Sequence, residues 1–293
     1  MIFTDAIGGD IMVSKPKGEF AMRKLSEIPA PALAGVVKEA TVRAALAEIK
    51  NCEMDGSTMI DLHMSCLDDP SEEKLKEIIG ASRLPILALN YNIDNTLAPR
   101  GYSEDDRAEI FLRAARAGAA GIDMQGYTFH LPSKTEFCGE DKYSFTKGNP
   151  REIVTDSEII AKQCDFIERI HEEGSEVLLS CHPGVVMSAE QVVELALFLE
   201  ERHPDIIKMV TVAQSDEDAA EAIRAMTMLK REVKTPVSYH ANGAAGIKTR
   251  IINPLLGGQI AFCIDRYKEN SDRQQVDLRA MSAILDNYRR IVK

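Results

Sequence analysis

Residues 177–240 read VLLSCHPGVVMSAEQVVELALFLEERHPDIIKMVTVAQSDEDAAEAIRAMTMLKREVKTPVSYH. Three short apolar runs, Val177 to Ser180, Ile206 to Val212 and Val237 to His240, are separated by two amphipathic stretches, Ser188 to Glu201 and Ser215 to Glu232. Apolar runs without polar alternation read as strands covered on both faces, and a helix-length stretch between them is what parallel pairing requires. The alternation continues outward. Further runs at Ala32 to Val37, Met59 to His63, Ile86 to Asn90, Gly121 to Met124 and Gln259 to Cys263 bring the candidate strands to eight. Helix-like segments intervene at Thr41 to Lys50, Ser71 to Ile79, Ser103 to Ala117 and Asp156 to Glu173, and a last one runs from Leu278 to Ile291. Ser71, Ser103 and Ser215 each precede acidic residues, the pattern of a side-chain cap with negative charge at the positive helix end. This alternation predicts an α/β chain folded as a single (β/α)8 TIM barrel over 1–293. The competing doubly wound sheet would show a Gly-rich first turn, and neither GxGxxG nor GxxxxGKS/T occurs.

Two regions fall outside the alternation. Residues 1–28 form an N-terminal extension, expected as a hairpin or plug under the barrel. Residues 126–155 follow the fourth strand with 30 residues where about 2 to 6 are usual, and are expected to act as a lid or interface arm. A homodimer is expected.

Composition narrows the class. With 45% hydrophobic and 28% charged residues and a mean hydropathy of −0.16, the 293-residue chain can bury a large core. Aromatics at 5% and the absence of Trp argue against a Tyr-rich β-sandwich. Forty-six acids against 35 Lys and Arg give a charge of −11 and a pI near 5.2, a field that repels phosphate backbones and excludes nucleic acid as a partner. No run approaches the roughly 18 apolar residues of a membrane helix. The opening MIFTDAIGGD has acid where a signal peptide has base, so a cytoplasmic location and no membrane partner are expected. The six cysteines show no CxxC pair or zinc spacing and read as reduced thiols, with no metal or cofactor expected.

Polar residues near the C-terminal ends of barrel strands face the usual active-site end. Lys208 shares a face with Ile206 and Val210 in an apolar run. Desolvation there would favour the neutral amine, a nucleophile able to form a Schiff base. The alternative is a lysine that snorkels or pairs with a carboxylate. His182 follows the preceding run and is placed to be a proton shuttle beside that amine, although a lone His can equally be structural. After the seventh run comes a Gly-rich loop, Gly243 to Arg250, in which Arg250 suits a substrate carboxylate. His240 and Asn242 end the same strand and are candidates for the cavity wall.

The segments Leu179-Ser180-Cys181-His182, Ile206-Ile207-Lys208 followed by Gln214-Ser215-Asp216-Glu217-Asp218, Gly246-Ile247-Lys248-Thr249-Arg250 and Leu256-Gly257-Gly258-Gln259-Ile260-Ala261-Phe262 together resemble type I 3-dehydroquinate dehydratase, in order and spacing, from about residue 176 onward. The resemblance implies a (β/α)8 barrel of the shikimate pathway, with Lys208 as Schiff-base lysine and His182 as general acid/base. It also implies Arg250 as the carboxylate anchor, Thr249 where the family usually has Ser, and Gln275 as the lid glutamine, without the usual Ala-Pro-Gly beside it. The first half departs from the family's pattern. Asp61 and His63 stand where the family has Glu and Arg, Tyr91 where it has another Arg, and Gln125 where it has the Glu that orients the histidine. The expected function is a cofactor-free lyase that eliminates water from a cyclic keto acid through a lysine iminium. The alternatives are a class I aldolase or dehydratase for another keto acid or keto polyol, a metal-dependent barrel using Asp61, His63, His182 and His240, and a non-catalytic metabolite-binding barrel.

Overall fold

The apolar runs fold as parallel strands because each is covered by neighbours on both faces. The computed structural model describes residues 24–91, 102–130, 152–268 and 273–292. Residues 1–23 of the extension, 131–151 of the insertion and Cys138 lie outside the described residues. The eight expected strands all form: β1 Ala32–Val37, β2 Met59–His63, β3 Ile86–Leu89, β4 Gly121–Gln125, β5 Glu176–Cys181, β6 Ile206–Val212, β7 Val237–Asn242 and β8 Ile260–Ile264. Each pairs in parallel with the next from β1 to β7, and β1 pairs with β8. Between β7 and β8 two bonds close the ring: Gln259 N–H donates to Val237 O at 2.8 Å and Ser238 Oγ to Ile260 O at 2.8 Å. A two-residue β9, Val276–Asp277, extends the sheet beside β8 and was not expected from the sequence.

The helices are α1 Val42–Met54, α2 Glu72–Ala81, α3 Glu104–Arg116, α4 Ser157–Glu172, α5 Ala189–Glu200, α6 Asp216–Glu232, α7 Ile247–Leu255 and α8 Leu278–Ile291. Helix α7 corrects the expectation of a Gly-rich loop at 243–250: its first four residues are already helical. Side-chain caps hold most starts, with full capping boxes at Ser188 and Ser215. Ser103 caps α3 as expected, but Ser71 makes no cap bond to α2; its N–H is turned to Asp69 Oδ1 instead.

Of the N-terminal extension, residues 24–28 are described. Leu25, in a 3-10 turn over Leu25–Glu27, is 1% exposed and packs with Ala32, Met59, Leu178 and Ile206 inside the foot of the barrel. Burying a leucine there contributes about 1.5–3 kcal/mol. Gly121 is needed opposite it, since a Cβ at that position would lie 2.5 Å from Leu25 Cδ1. The Glu176 carboxylate ties this turn down, accepting from Ser26 N–H at 2.9 Å and Ser26 Oγ at 2.5 Å. With the foot filled, the open end lies at the strand C-termini.

Candidate active site

Strand alternation places Asp123, Gln125, Ser180, Lys208 and His240 on one inward-facing set, Ser180 being the partner of Lys208 across β5 and β6 and His240 that of Val210 across β6 and β7. Lys208 is 5% exposed, and its ammonium donates to Asp123 Oδ2 at 3.0 Å. The amine also lies 4.4 Å from the centre of the Phe262 ring. The carboxylate pairing that the sequence leaves open as the alternative is thus present. Asp123, which the sequence reading passed over, is fully buried and takes a second bond at Oδ1 from Gln125 Nε2 at 3.2 Å.

Gln125 makes its side-chain hydrogen bonds to Arg107 and Asp123. Its Oε1 accepts from Arg107 Nη1 at 2.6 Å and its Nε2 also donates to Asp123 O at 2.8 Å. Arg107 is fully buried and reaches in from α3 to bind Glu104, Asn90 O and Thr128 as well. Gln125 therefore joins Arg107 to Asp123.

His182 stands beyond the end of β5, two residues past Ser180 and on the same face. Its Nε2 is 3.5 Å from Tyr91 Oη, and its Nδ1 is 3.9 Å from Glu152 Oε2. Tyr91 continues to His63 with ring centroids 5.9 Å apart, and His63 Nε2 lies 3.5 Å from Asp61 Oδ2. Burial drives His63 below the ordinary imidazole range, with Asp61 opposing. Burial, followed by the positive charges of Arg250, Lys208 and His182, drives His240 well below that range. Burial and then the carboxylates Asp123, Asp61 and Glu152 hold the Tyr91 hydroxyl protonated, well above the ordinary phenol range.

Arg250 enters from α7 and donates to Asn242 Oδ1 at 2.5 Å. Thr249 is fully buried with its hydroxyl committed to backbone, donating to Gly246 O at 2.6 Å and accepting from Ala241 N–H at 2.8 Å. It shapes the turn that carries Arg250. At the same end, Gln274 Oε1 accepts from Gly243 N–H at 2.6 Å, and the carbonyl of Gln275 accepts from Tyr267 Oη at 2.7 Å. A cleft at the β7–β8 seam is lined by His240, Arg250, Ile260 and Phe262. Among the described residues no three His, Cys, Asp or Glu side chains are gathered as a metal-holding group, so Asp61, His63, His182 and His240 do not assemble as one. The described cysteines are free, and no helix among the described residues is long and apolar enough to cross a membrane.

The arrangement sets a buried amine, an imidazole and a guanidinium around His240 near the strand C-termini of a barrel. The model of the type I 3-dehydroquinase family matches residues 152–291, the half that supplies all three groups. That part of the chain is similar to the type I 3-dehydroquinases. A 3-dehydroquinate dehydratase of Desulfotalea psychrophila is 23% identical over 188 residues, 64% of this chain and 69% of that protein. Among solved structures, the 3-dehydroquinate dehydratase of Geobacillus kaustophilus superposes with a TM-score of 0.71 at 15% identity, covering 92% of this chain and 97% of its own. The type I enzyme of Clostridium difficile, described with covalently modified comenic acid, superposes with a TM-score of 0.70 at 13% identity, covering 89% and 93%. These two likenesses show the same barrel fold across the described chain. The first-half departures read from the sequence occupy its mouth: Asp61, His63 and Tyr91 line up toward His182, while Gln125 is bound to Arg107.

Proposed function

We propose that this chain is a Schiff-base-forming hydro-lyase of the type I 3-dehydroquinate dehydratase kind, acting in the cytoplasm on a small keto acid. The observation that supports this most is the inward-facing Lys208 amine beside Asp123, with His182 on the adjoining strand end.

The steps follow from the groups present. Asp123 accepts a proton from the Lys208 ammonium, and the freed amine attacks the substrate ketone. Loss of the carbonyl oxygen as water leaves an iminium, whose positive charge falls where the ammonium stood, beside the Asp123 carboxylate and over the Phe262 ring. The iminium acidifies the adjacent C–H. His182 Nε2 removes that proton, giving an enamine, and the imidazolium then protonates the hydroxyl on the next carbon as its C–O bond breaks. Water addition to the resulting iminium releases the unsaturated product and restores the amine. A positioned acid/base of this kind supplies about 10²–10⁴-fold. Arg250, steadied by Asn242, anchors the substrate carboxylate.

The test is borohydride reduction in the presence of dehydroquinate, followed by peptide mass mapping. The expected result is one adduct on the peptide that contains Lys208, absent in Lys208→Met. No adduct, with no turnover, would refute dehydroquinate as the substrate. A second reading, an aldolase or dehydratase for another keto acid, is favoured by His63 and Tyr91 at the mouth, where they offer no guanidinium. Labelling by a different keto acid alone would select it.

A further inference from the structure

Glu152 opens the return limb of the insertion after β4, and the sequence alone gives it no role. Its side chain is fully buried, and neither carboxyl oxygen has a hydrogen-bond partner among the described residues. An ionised carboxylate in such a place has to face a positive or donating group. The group it faces is His182 Nδ1, at 3.9 Å.

The chain is built to bring this residue there. A Cβ on residue 126 would lie 2.5 Å from Glu152 O, so glycine at that position lets the returning backbone pass against the end of β4. Cys181 Sγ donates to Glu152 O at 3.3 Å, and Arg202 donates to Val154 O at 2.8 Å. Gln163 ties both limbs together, donating to Gly126 O at 2.9 Å and accepting from Arg202 Nε at 2.8 Å. The departing and returning ends of the insertion are thus fixed to one another and to β5.

We propose that Glu152 is the positioning residue for His182, taking the place that Gln125 leaves open. The inference rests on His182 acting as the acid/base of the reading above. An ionised carboxylate can only accept, so Nδ1 carries the imidazole proton toward Glu152. The Tyr91 hydroxyl, 3.5 Å from the other nitrogen, can donate to it or accept from it and so leaves the tautomer to Glu152. Glu152 therefore selects the tautomer, leaving the lone pair on Nε2. A closure of about 1 Å brings Glu152 into hydrogen-bond range, as happens when an open site tightens around its ligand.

The experiment is ¹⁵N NMR of the histidine side chains in the full chain, which needs no substrate, with His182 assigned by comparison with His182→Gln. The wild type is expected to hold the neutral His182 proton on Nδ1. Glu152→Leu should move the proton to Nε2. Glu152→Gln, nearly isosteric and still an acceptor, should keep it on Nδ1 while lowering kcat at least about tenfold, within the roughly 10²–10⁴ that a positioned acid/base supplies. A wild-type proton on Nε2, or a Glu152→Leu spectrum in which the tautomer is unchanged, would overturn the assignment. If Glu152→Leu does not fold, full kcat in Glu152→Gln would overturn it as well. Because the tautomer is read without substrate, its shift in Glu152→Leu stands even if dehydroquinate proves to be the wrong ligand.

Discussion

Lys208 and Asp123 form the buried ion pair on which the proposed chemistry turns, and its strength can be worked from the structure. The charged atoms are 3.0 Å apart, with side chains 6% and 0% exposed. At an effective dielectric of ~20 their attraction is about 5 kcal/mol, most of which offsets the cost of removing two charges from water. Removing one partner leaves the other charge buried and unpaired, which costs about 3–5 kcal/mol. Lys208→Met should fall at the lower end, because Asp123 keeps its bond from Gln125. Asp123→Asn should destabilise through loss of charge at nearly constant shape. The double variant removes both charges, so its loss should be smaller than the sum of the two by roughly 3 kcal/mol. Urea unfolding of the four proteins at pH 7 measures this coupling directly. Single losses that add to within about 0.5 kcal/mol would mean that the pair does not exist in solution, and the proton relay from Lys208 to Asp123 would go with it.

Other consequences are sharper at single positions. Gly126→Ala pushes a methyl group against Glu152 O and Ser180 O and should cost about 1–3 kcal/mol, read as a lower midpoint in calorimetry; an unchanged midpoint would mean that the limb gives way freely. Asp265 is raised to about 6 by burial and by the neighbouring Asp55 carboxyl group. Its contribution is fully present below the unfolded value of 3.8 and is lost as pH rises through about 6. Asp265→Asn should therefore gain about 1–3 kcal/mol over wild type at pH 8 and nothing near pH 4, and equal gains at both would contradict the assignment. For His240 the sign is opposite: its depressed folded value gives stability that is present above about pH 6.5 and lost as pH falls. His240→Gln should flatten the acid side of the stability profile, which denaturant titrations at stepped pH will reveal.

The barrel was legible because burial on both faces writes itself into a strand as uninterrupted apolar residues. The runs at 206–212 and 32–37 match β6 and β1 residue for residue, and Leu278–Ile291 is α8 to its ends. Helix α7 was hidden by its own punctuation: Gly246 at its start offers no side-chain cap, and Pro254 lies inside it. Lys208 announced itself as a charge in an apolar run, but its partner did not, since pairing across β4 and β6 is a tertiary fact. The available signal was Asp123, an acid in another apolar run, two residues from Gln125 and on the same face. Glu152 had no such signal. It lies where periodicity ends, and only the close approach of its backbone to Gly126 assigns it to the mouth.

On the proposed reading, the neutral Gln125 and the carboxylate at residue 152 fit together. Gln125 is neutral, so it can serve Arg107 and Asp123 together, and in doing so it fixes the acceptor beside the lysine. A carboxylate at that position would bring a second negative charge against Asp123 in a fully buried layer. With Glu152 as the histidine's partner, as proposed, the two carboxylates stand apart, Asp123 beside Lys208 and Glu152 beside His182. The chain Asp61, His63, Tyr91 then meets His182 from the opposite side, and burial holds both His63 and Tyr91 neutral. The mouth thus sets Lys208 and Arg250 against Asp61, Asp123 and Glu152. On the proposed reading, that balance suits a substrate with one carboxylate, met by Arg250. A second anionic group would approach Asp61 and Glu152 with no arginine at 63 or 91 to receive it.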